Sequence, residues 1–167
     1  MTPQAVVHPI PPVYDAASRI LILGSFPSVR SREARFFYGH PQNRFWKVLA
    51  GVFAAEAPQT VPEKRAFLLA HRIAVWDVIA SCEIAGSSDA SIKNVVPNDL
   101  SVILDAADIR AVFTNGATAG KYYKRYIEPA TGRPCGVLPS TSPANAAWNL
   151  ERLTAAWRTA LTLGDGS

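Results

Sequence analysis

Regular patterning begins at Arg19, where Ile20-Leu21-Ile22-Leu23 form an unbroken apolar run closed by Gly24. Such a run predicts a strand buried on both faces, as in a parallel sheet. After a loop over Ser25 to His40, apolar side chains at Phe45, Val48, Leu49, Val52 and Phe53 fall at helical spacing. They predict a helix from Asn43, with Pro41 suited to its start. The alternation repeats with a helix over Pro62–His71, a strand over Ile73–Val78, a polar loop to Asn94 and a helix over Asn98–Ala107. It continues with a strand over Ala111–Thr114, a helix over Ala117–Ile127, a strand over Gly136–Leu138, a loop over Pro139–Ala144 and a helix over Asn145–Leu163.

This order predicts an α/β fold, a three-layer α/β/α sandwich around a central, mostly parallel four-stranded sheet. Residues 1–18, broken by Pro3, Pro9, Pro11 and Pro12, read as an extended arm without an element, ahead of a single domain over residues 19–167. In open parallel sheets the loops after the carboxyl ends of strands line one crevice. Ser25–Asn43, Asp77–Asn94, Asn115-Gly116 and Pro139–Asn145 are expected to open onto it.

Composition narrows the classes. The 167 residues are 49% hydrophobic and 18% charged, the profile of a globular chain, and no apolar run approaches the roughly 20 residues of a membrane span. The first 18 residues carry no readable secretory signal, so a cytoplasmic location is expected. Cys82 and Cys135 are too few for a disulfide framework or a four-cysteine metal site, and His8, His40 and His71 are not in paired ligand spacing. Neither a metal nor a cofactor is expected. The net charge of +4 is uneven, with segment charges of +4 over residues 1–50, −4 over 51–109 and +4 over 110–135. Basic segments flanking an acidic one fit a surface that meets a phosphate backbone. Phosphate-loop, dinucleotide and nucleophile-elbow motifs are missing.

Three segments carry candidate chemistry. Gly24-Ser25-Phe26-Pro27-Ser28 is either a tight turn or a cradle for a base or an anion. Phe36 to Trp46 pack five aromatics with His40, Gln42, Asn43 and Arg44 into eleven residues, unlike an ordinary polar connection. Tyr38 there is suited to stack on an extruded base. Asn43 reads equally as a helix cap or as an amide holding a water, and His40 as a turn residue or a catalyst. Pro139-Ser140-Thr141-Ser142-Pro143-Ala144-Asn145 is a stiff, hydroxyl-rich loop that either caps the last helix or contacts phosphate. Thr114-Asn115-Gly116-Ala117, with Lys121 and Lys124 behind it, reads either as a further phosphate contact or as a strand-end turn followed by a solvated helix face.

Together, Gly24–Ser28, Tyr38–Trp46 and Leu138–Asn145 resemble the two signature regions of the uracil-DNA glycosylase superfamily. His40-Pro41-x-Asn43-Arg44-Phe45-Trp46-Lys47 is similar to the mismatch-specific uracil/thymine enzymes. Ser25-x-Pro27, the Ser-Thr-Ser-Pro loop, Trp76-Asp77-Val78-Ile79 and Ser87 to Lys93 look more like the hypoxanthine-DNA (deoxyinosine) glycosylases. Where mismatch-type relatives carry Asn and classical uracil enzymes Asp to position water, this chain has Phe26, which argues against efficient classical uracil excision.

The resemblance implies a monofunctional glycosylase that flips a deaminated base, hypoxanthine by preference, out of DNA and leaves an abasic site. It makes Asn43 the catalytic residue that positions water. Tyr38 and Phe26 are expected to sandwich the base, with Ser25, His40, Asp77 and Asn115 around its polar edge. Ser140, Thr141, Ser142 and Asn145 are expected to grip phosphates or wedge into the gap, with Arg44 and Lys121 adding charge. The expected partner is DNA containing deaminated bases, met by a monomer. A uracil or mismatch-type enzyme, a hydrolase of free nucleosides and a non-catalytic damaged-DNA-binding module are the competing readings.

Overall fold

The computed structural model describes residues 2–164. Its centre is a four-stranded parallel sheet of β2 (Ile20–Gly24), β3 (Ile73–Asp77), β6 (Ala111–Asn115) and β7 (Gly136–Leu138), in the order β3-β2-β6-β7. Every residue of β2 is buried, because strict alternation sends Ile20 and Ile22 to one face and Leu21 and Leu23 to the other.

On the first face lie α2 (Phe45–Val52), α3 (Val61–Ala70) and α7 (Leu150–Gly164), which bury Phe45, Leu49, Leu68, Leu153 and Trp157. On the second, α4 (Ser101–Leu104) and α5 (Ala117–Tyr122) bury Ile103, Ala119 and Tyr122. The predicted three-layer α/β/α architecture is therefore present. After α5 the chain runs through a π-helical turn over Tyr123–Ile127 into α6 (Glu128–Thr131). A capping box holds α3, with the Thr60 hydroxyl accepting from Glu63 N and the Glu63 carboxylate accepting from Thr60 N.

Four expectations need correction. The first 18 residues do carry an element: β1 (Gln4–Val7) pairs antiparallel with β4 (Ile79–Ile84), and Val13 exchanges both backbone hydrogen bonds with Val75 on β3. Ile10 and Val13 are buried there, so the segment covers the β3 edge of the sheet. The polar loop to Asn94 is instead β4, a short 3-10 turn over Asp89–Ser91 and the start of β5 (Lys93–Pro97); β1, β4 and β5 form a separate three-stranded antiparallel sheet. The helix expected over Asn98–Ala107 shrinks to α4, since Pro97 belongs to the preceding strand. The loop after β2 contains α1 (Val29–Ala34), capped by Ser28. Boundaries also move, for the last helix starts at Leu150.

Candidate active site

At the carboxyl ends of β2, β3, β6 and β7 lies a pocket of about 340 Å³. It sits where strand order reverses between β2 and β6, the usual ligand crevice of such sheets. Ser25, Phe26, Tyr38, His40, Asn43, Asp77, Asn115, Ser140, Thr141 and Ser142, all singled out in the sequence, line it. Arg44, Lys121 and Asn145 do not.

Two glycines shape the walls. A Cβ at Gly24 would stand 2.3 Å from Asp77 Oδ1, so only glycine lets β2 and β3 close here. Gly116 adopts φ +96°, and a Cβ on it would lie 3.1 Å from Ser140 Cβ. Helix α1 ties the front together: Ser31 Oγ accepts from Gly39 N, Arg32 donates to Gly86 O, and Val29 N donates to Ser87 Oγ.

Asn43 sits just before α2, which is capped at Arg44 rather than at Asn43. Its Oδ1 accepts both from Phe45 N at 3.0 Å and from Thr141 Oγ1 at 2.8 Å. Those two donors occupy both lone pairs of the oxygen and fix the amide. They leave Nδ2, to which no described residue offers an acceptor, as the free end in the pocket wall. Thr141 is fully buried. Its Oγ1 also accepts from Asn115 Nδ2 at 3.0 Å, and its backbone N donates to Asn115 Oδ1 at 3.0 Å. The expectation that Thr141 grips phosphate is corrected, because it links two asparagines beneath the surface.

Arg44 is corrected in the same way. Its guanidinium donates to the carbonyls of Ser142, at 2.8 Å, Asn145, at 3.1 Å, Thr141 and Trp148. Four backbone acceptors commit the charge to bracing the Ser140–Asn145 loop. Asn145 braces it too, with Nδ2 donating to Ser140 O, and lines a shallow groove running outward past Pro139 and Trp148. Lys121 is exposed on α5, outside the pocket.

Tyr38 adopts φ +52°, an uncommon conformation for a bulky residue. Its ring stacks on Phe45 with centroids 3.9 Å apart and planes 16° from parallel, so one face is already covered by the core. The hydroxyl is buried without a hydrogen-bond partner. Burial pushes its pKa well above the ordinary tyrosine range and the Asp77 carboxylate adds to this, while the nearby Asn115 amide acts the other way. Tyr38 stays protonated. Phe26 lies edge-on to His8, and Arg32 sits 5.6 Å from its ring centroid. His40 Nδ1 accepts from Gln42 N, a turn contact, and the ring still reaches the pocket.

Two pocket features were not read from the sequence. His8, from the segment after β1, donates through Nε2 to Asp77 Oδ2 at 2.7 Å, with both side chains almost wholly buried. Asp89 lines the wall and accepts from Ser25 Oγ at 3.2 Å. Although Asp89 stays solvent-accessible, crowding by protein raises its pKa, the Ser25 hydroxyl lowers it and the Asp77 charge raises it, for a net upward shift. The polar run Ser87-Ser88-Asp89 marked this loop, whereas nothing in the proline-flanked context of His8 marks that residue. Among the described residues no cluster of His, Cys, Asp or Glu is suited to a metal ion.

Residues 11–161 match the sequence profile of the Uracil DNA glycosylase superfamily. The chain belongs to this superfamily. Two relatives carry the name Hypoxanthine DNA glycosylase. The one from Methanosarcina acetivorans is 35% identical over 147 residues, spanning 85% of this chain and 90% of its own. The other, from Methanosarcina barkeri, is 34% identical over 137 residues, spanning 81% of this chain and 85% of its own. A solution NMR structure of a Methanosarcina acetivorans protein, described as a candidate uracil DNA glycosylase, superposes with a TM-score of 0.75 at 31% identity. It covers 90% of this chain and 95% of that one.

Proposed function

We propose that this protein is a monofunctional DNA glycosylase of base excision repair that hydrolyses the N-glycosidic bond of a flipped deaminated base, with deoxyinosine as its preferred lesion. The observation that carries the reading is the placement of Asn43, its amide locked by Thr141 and Phe45 in the wall of a pocket flanked by Phe26, Phe37 and Tyr38. The names of the two Methanosarcina relatives, both hypoxanthine DNA glycosylases, favour hypoxanthine as the base.

A base within a duplex is out of reach, so it is extruded into the pocket, and a mispaired deaminated base costs least to extrude. Because the Asn43 oxygen is occupied, the amide meets the incoming water as a donor through Nδ2. It orients the water without removing a proton. That suffices if the glycosidic bond breaks ahead of attack, through an oxocarbenium-like sugar, where stabilising separated charge matters more than a strong nucleophile. Water oxygen then bonds to the anomeric carbon, the departing base takes up the proton that water loses, and an abasic site remains. Ser140 and Ser142 at the rim, and the groove past Asn145 and Trp148, lie where the flanking strand would run. The same reading has the enzyme working on DNA as a cytoplasmic monomer; no helix among the described residues is long and apolar enough to cross a membrane.

The test is incubation with end-labelled duplexes carrying deoxyinosine, deoxyuridine or only normal bases, followed by alkali to cut at abasic sites. Cutting at deoxyinosine that collapses in Asn43→Ala supports the reaction and the residue. No abasic sites from any lesion would overturn the glycosylase reading.

A further inference from the structure

We infer that His8 and Asp77 form a specificity device that admits bases presenting a ring N–H and repels those presenting a bare ring nitrogen, a proposal that rests on the base-flipping reading above. The geometry makes the carboxylate a one-sided acceptor. His8 Nδ1 accepts from Ile10 N at 3.2 Å, so the ring proton lies on Nε2 and is donated to Asp77 Oδ2. Asp77 Oδ1 receives no hydrogen bond from any described residue. It stands 2.3 Å from where a Gly24 side chain would begin, beside the pocket space that Gly24 keeps open. The His8 ring is itself wedged among Phe26, Phe37 and Trp76, with centroids 5.8 to 6.5 Å away. The acceptor is thereby preset before any base arrives.

Deamination changes the feature that such an acceptor reads. Adenine offers a bare N1, whose lone pair faces the carboxylate oxygen and is repelled. Its deaminated product hypoxanthine offers N1–H, which donates. The same inversion separates cytosine, with a bare N3, from uracil, with N3–H. Sites that leave a buried polar group unpaired or opposed reject the wrong ligand far more strongly than apolar pockets do. Guanine shares the N1–H, so its exclusion falls to the cost of extruding it from a stable pair. His8 is a positioning residue here, and Asp77 the group that touches the base.

The test measures equilibrium binding to duplexes in which the target nucleotide carries a 2′-fluoroarabino sugar, which resists cleavage. The target base is hypoxanthine, adenine or unsubstituted purine, which keeps a bare N1 and has no group at position 6. The unmodified protein is expected to prefer hypoxanthine over unsubstituted purine at least about tenfold. Absence of that preference overturns the proposal without recourse to a variant. In Asp77→Asn, the His8 Nε2–H requires the amide oxygen on its own side, so the amide nitrogen faces the pocket. The preference is then expected to vanish or reverse.

Replacing His8 as well, in His8→Phe/Asp77→Asn, keeps an aromatic ring in place and frees the amide to turn. Part of the hypoxanthine preference is expected to return. An unchanged ratio in Asp77→Asn, or no recovery in the double variant, overturns the proposal. Since binding is read without cleavage, selective binding by a protein that cuts no ordinary deoxyinosine duplex would sink the glycosylase reading alone. Cleavage of deoxyinosine with an unchanged ratio in Asp77→Asn would sink this inference alone.

Discussion

Thr141 Oγ1 lies 2.8 Å from Asn43 Oδ1, donating to it, and 3.0 Å from Asn115 Nδ2, accepting from it. One hydroxyl thus joins the segment before α2 to the end of β6, and it determines which end of the Asn43 amide meets the pocket. Thr141→Val keeps the shape and removes this link. Excision of deoxyinosine is expected to fall by about 10- to 100-fold in kcat with KM little changed, since small misplacements of a positioning group carry costs of this size. Thr141→Ser restores the hydroxyl and is expected to recover most of the rate. Single-turnover kinetics on the two variants would check this, and a KM defect with normal kcat would count against it.

Arg44 offers a sharper contrast, because a basic residue beside a DNA-facing loop invites a phosphate contact. Its guanidinium is held by loop carbonyls instead. Arg44→Ala is expected to lower stability by about 1.5–3 kcal/mol, the usual scale for hydrogen bonds to a charged group. It should leave the slope of log affinity against log salt unchanged. A true phosphate contact would reduce that slope by about 0.9, so a salt titration decides between the two.

Gly24→Ala would put a methyl group 2.3 Å from Asp77 Oδ1. Something must shift, at a typical cost of about 1–3 kcal/mol for overpacking. Deoxyinosine excision is expected to drop more steeply than stability, as the carboxylate is pushed toward the base. Activity retained in a variant that melts at a lower temperature would contradict this.

The Thr60–Glu63 box is remote from the pocket and tests the fold alone. Thr60→Ala is expected to cost about 1 kcal/mol. Backbone and hydroxyl groups of Thr60, then the backbone of Gln59, hold the Glu63 carboxyl below its ordinary value of 4.5. A depressed folded-state pKa stabilises above the unfolded-state value and loses that effect as pH falls through the folded one. The melting-temperature gap between the unmodified protein and Glu63→Gln should therefore be open at neutral pH and close as pH falls through the lowered folded-state pKa of Glu63. A gap that persists in acid would refute the assignment.

The parallel sheet was legible chiefly through β2 and β3, which are buried on both faces and read as apolar runs, as in Ile20 to Leu23 or Ile73 to Val75. β4 and β5 were not, since their side chains are only partly buried and Asn94 and Pro97 look like loop punctuation. Helix α1 buries a single residue, Ser31, and so shows no apolar stripe. Within the site, the residues on crevice loops were found because their position after predicted strands is a local property. Arg44 and Thr141 were misassigned because solvated and buried polar groups look alike until the partners are known. His8 was missed because its partner lies 69 residues away.

That separation bears on how the specificity of this pocket can be transplanted. Most of the residues that line it follow strands of the parallel sheet, but the hand that steadies Asp77 reaches in from a segment stitched to the antiparallel one. A chimaera given only the segments after β2, β3, β6 and β7 would inherit the shape of the cleft and a carboxylate free to swing. Cutting the chain at residue 11, where the superfamily match begins, would do the same to the native protein. If His8 and Asp77 set the lesion preference, it depends on both sheets, and loop grafting alone will not carry it.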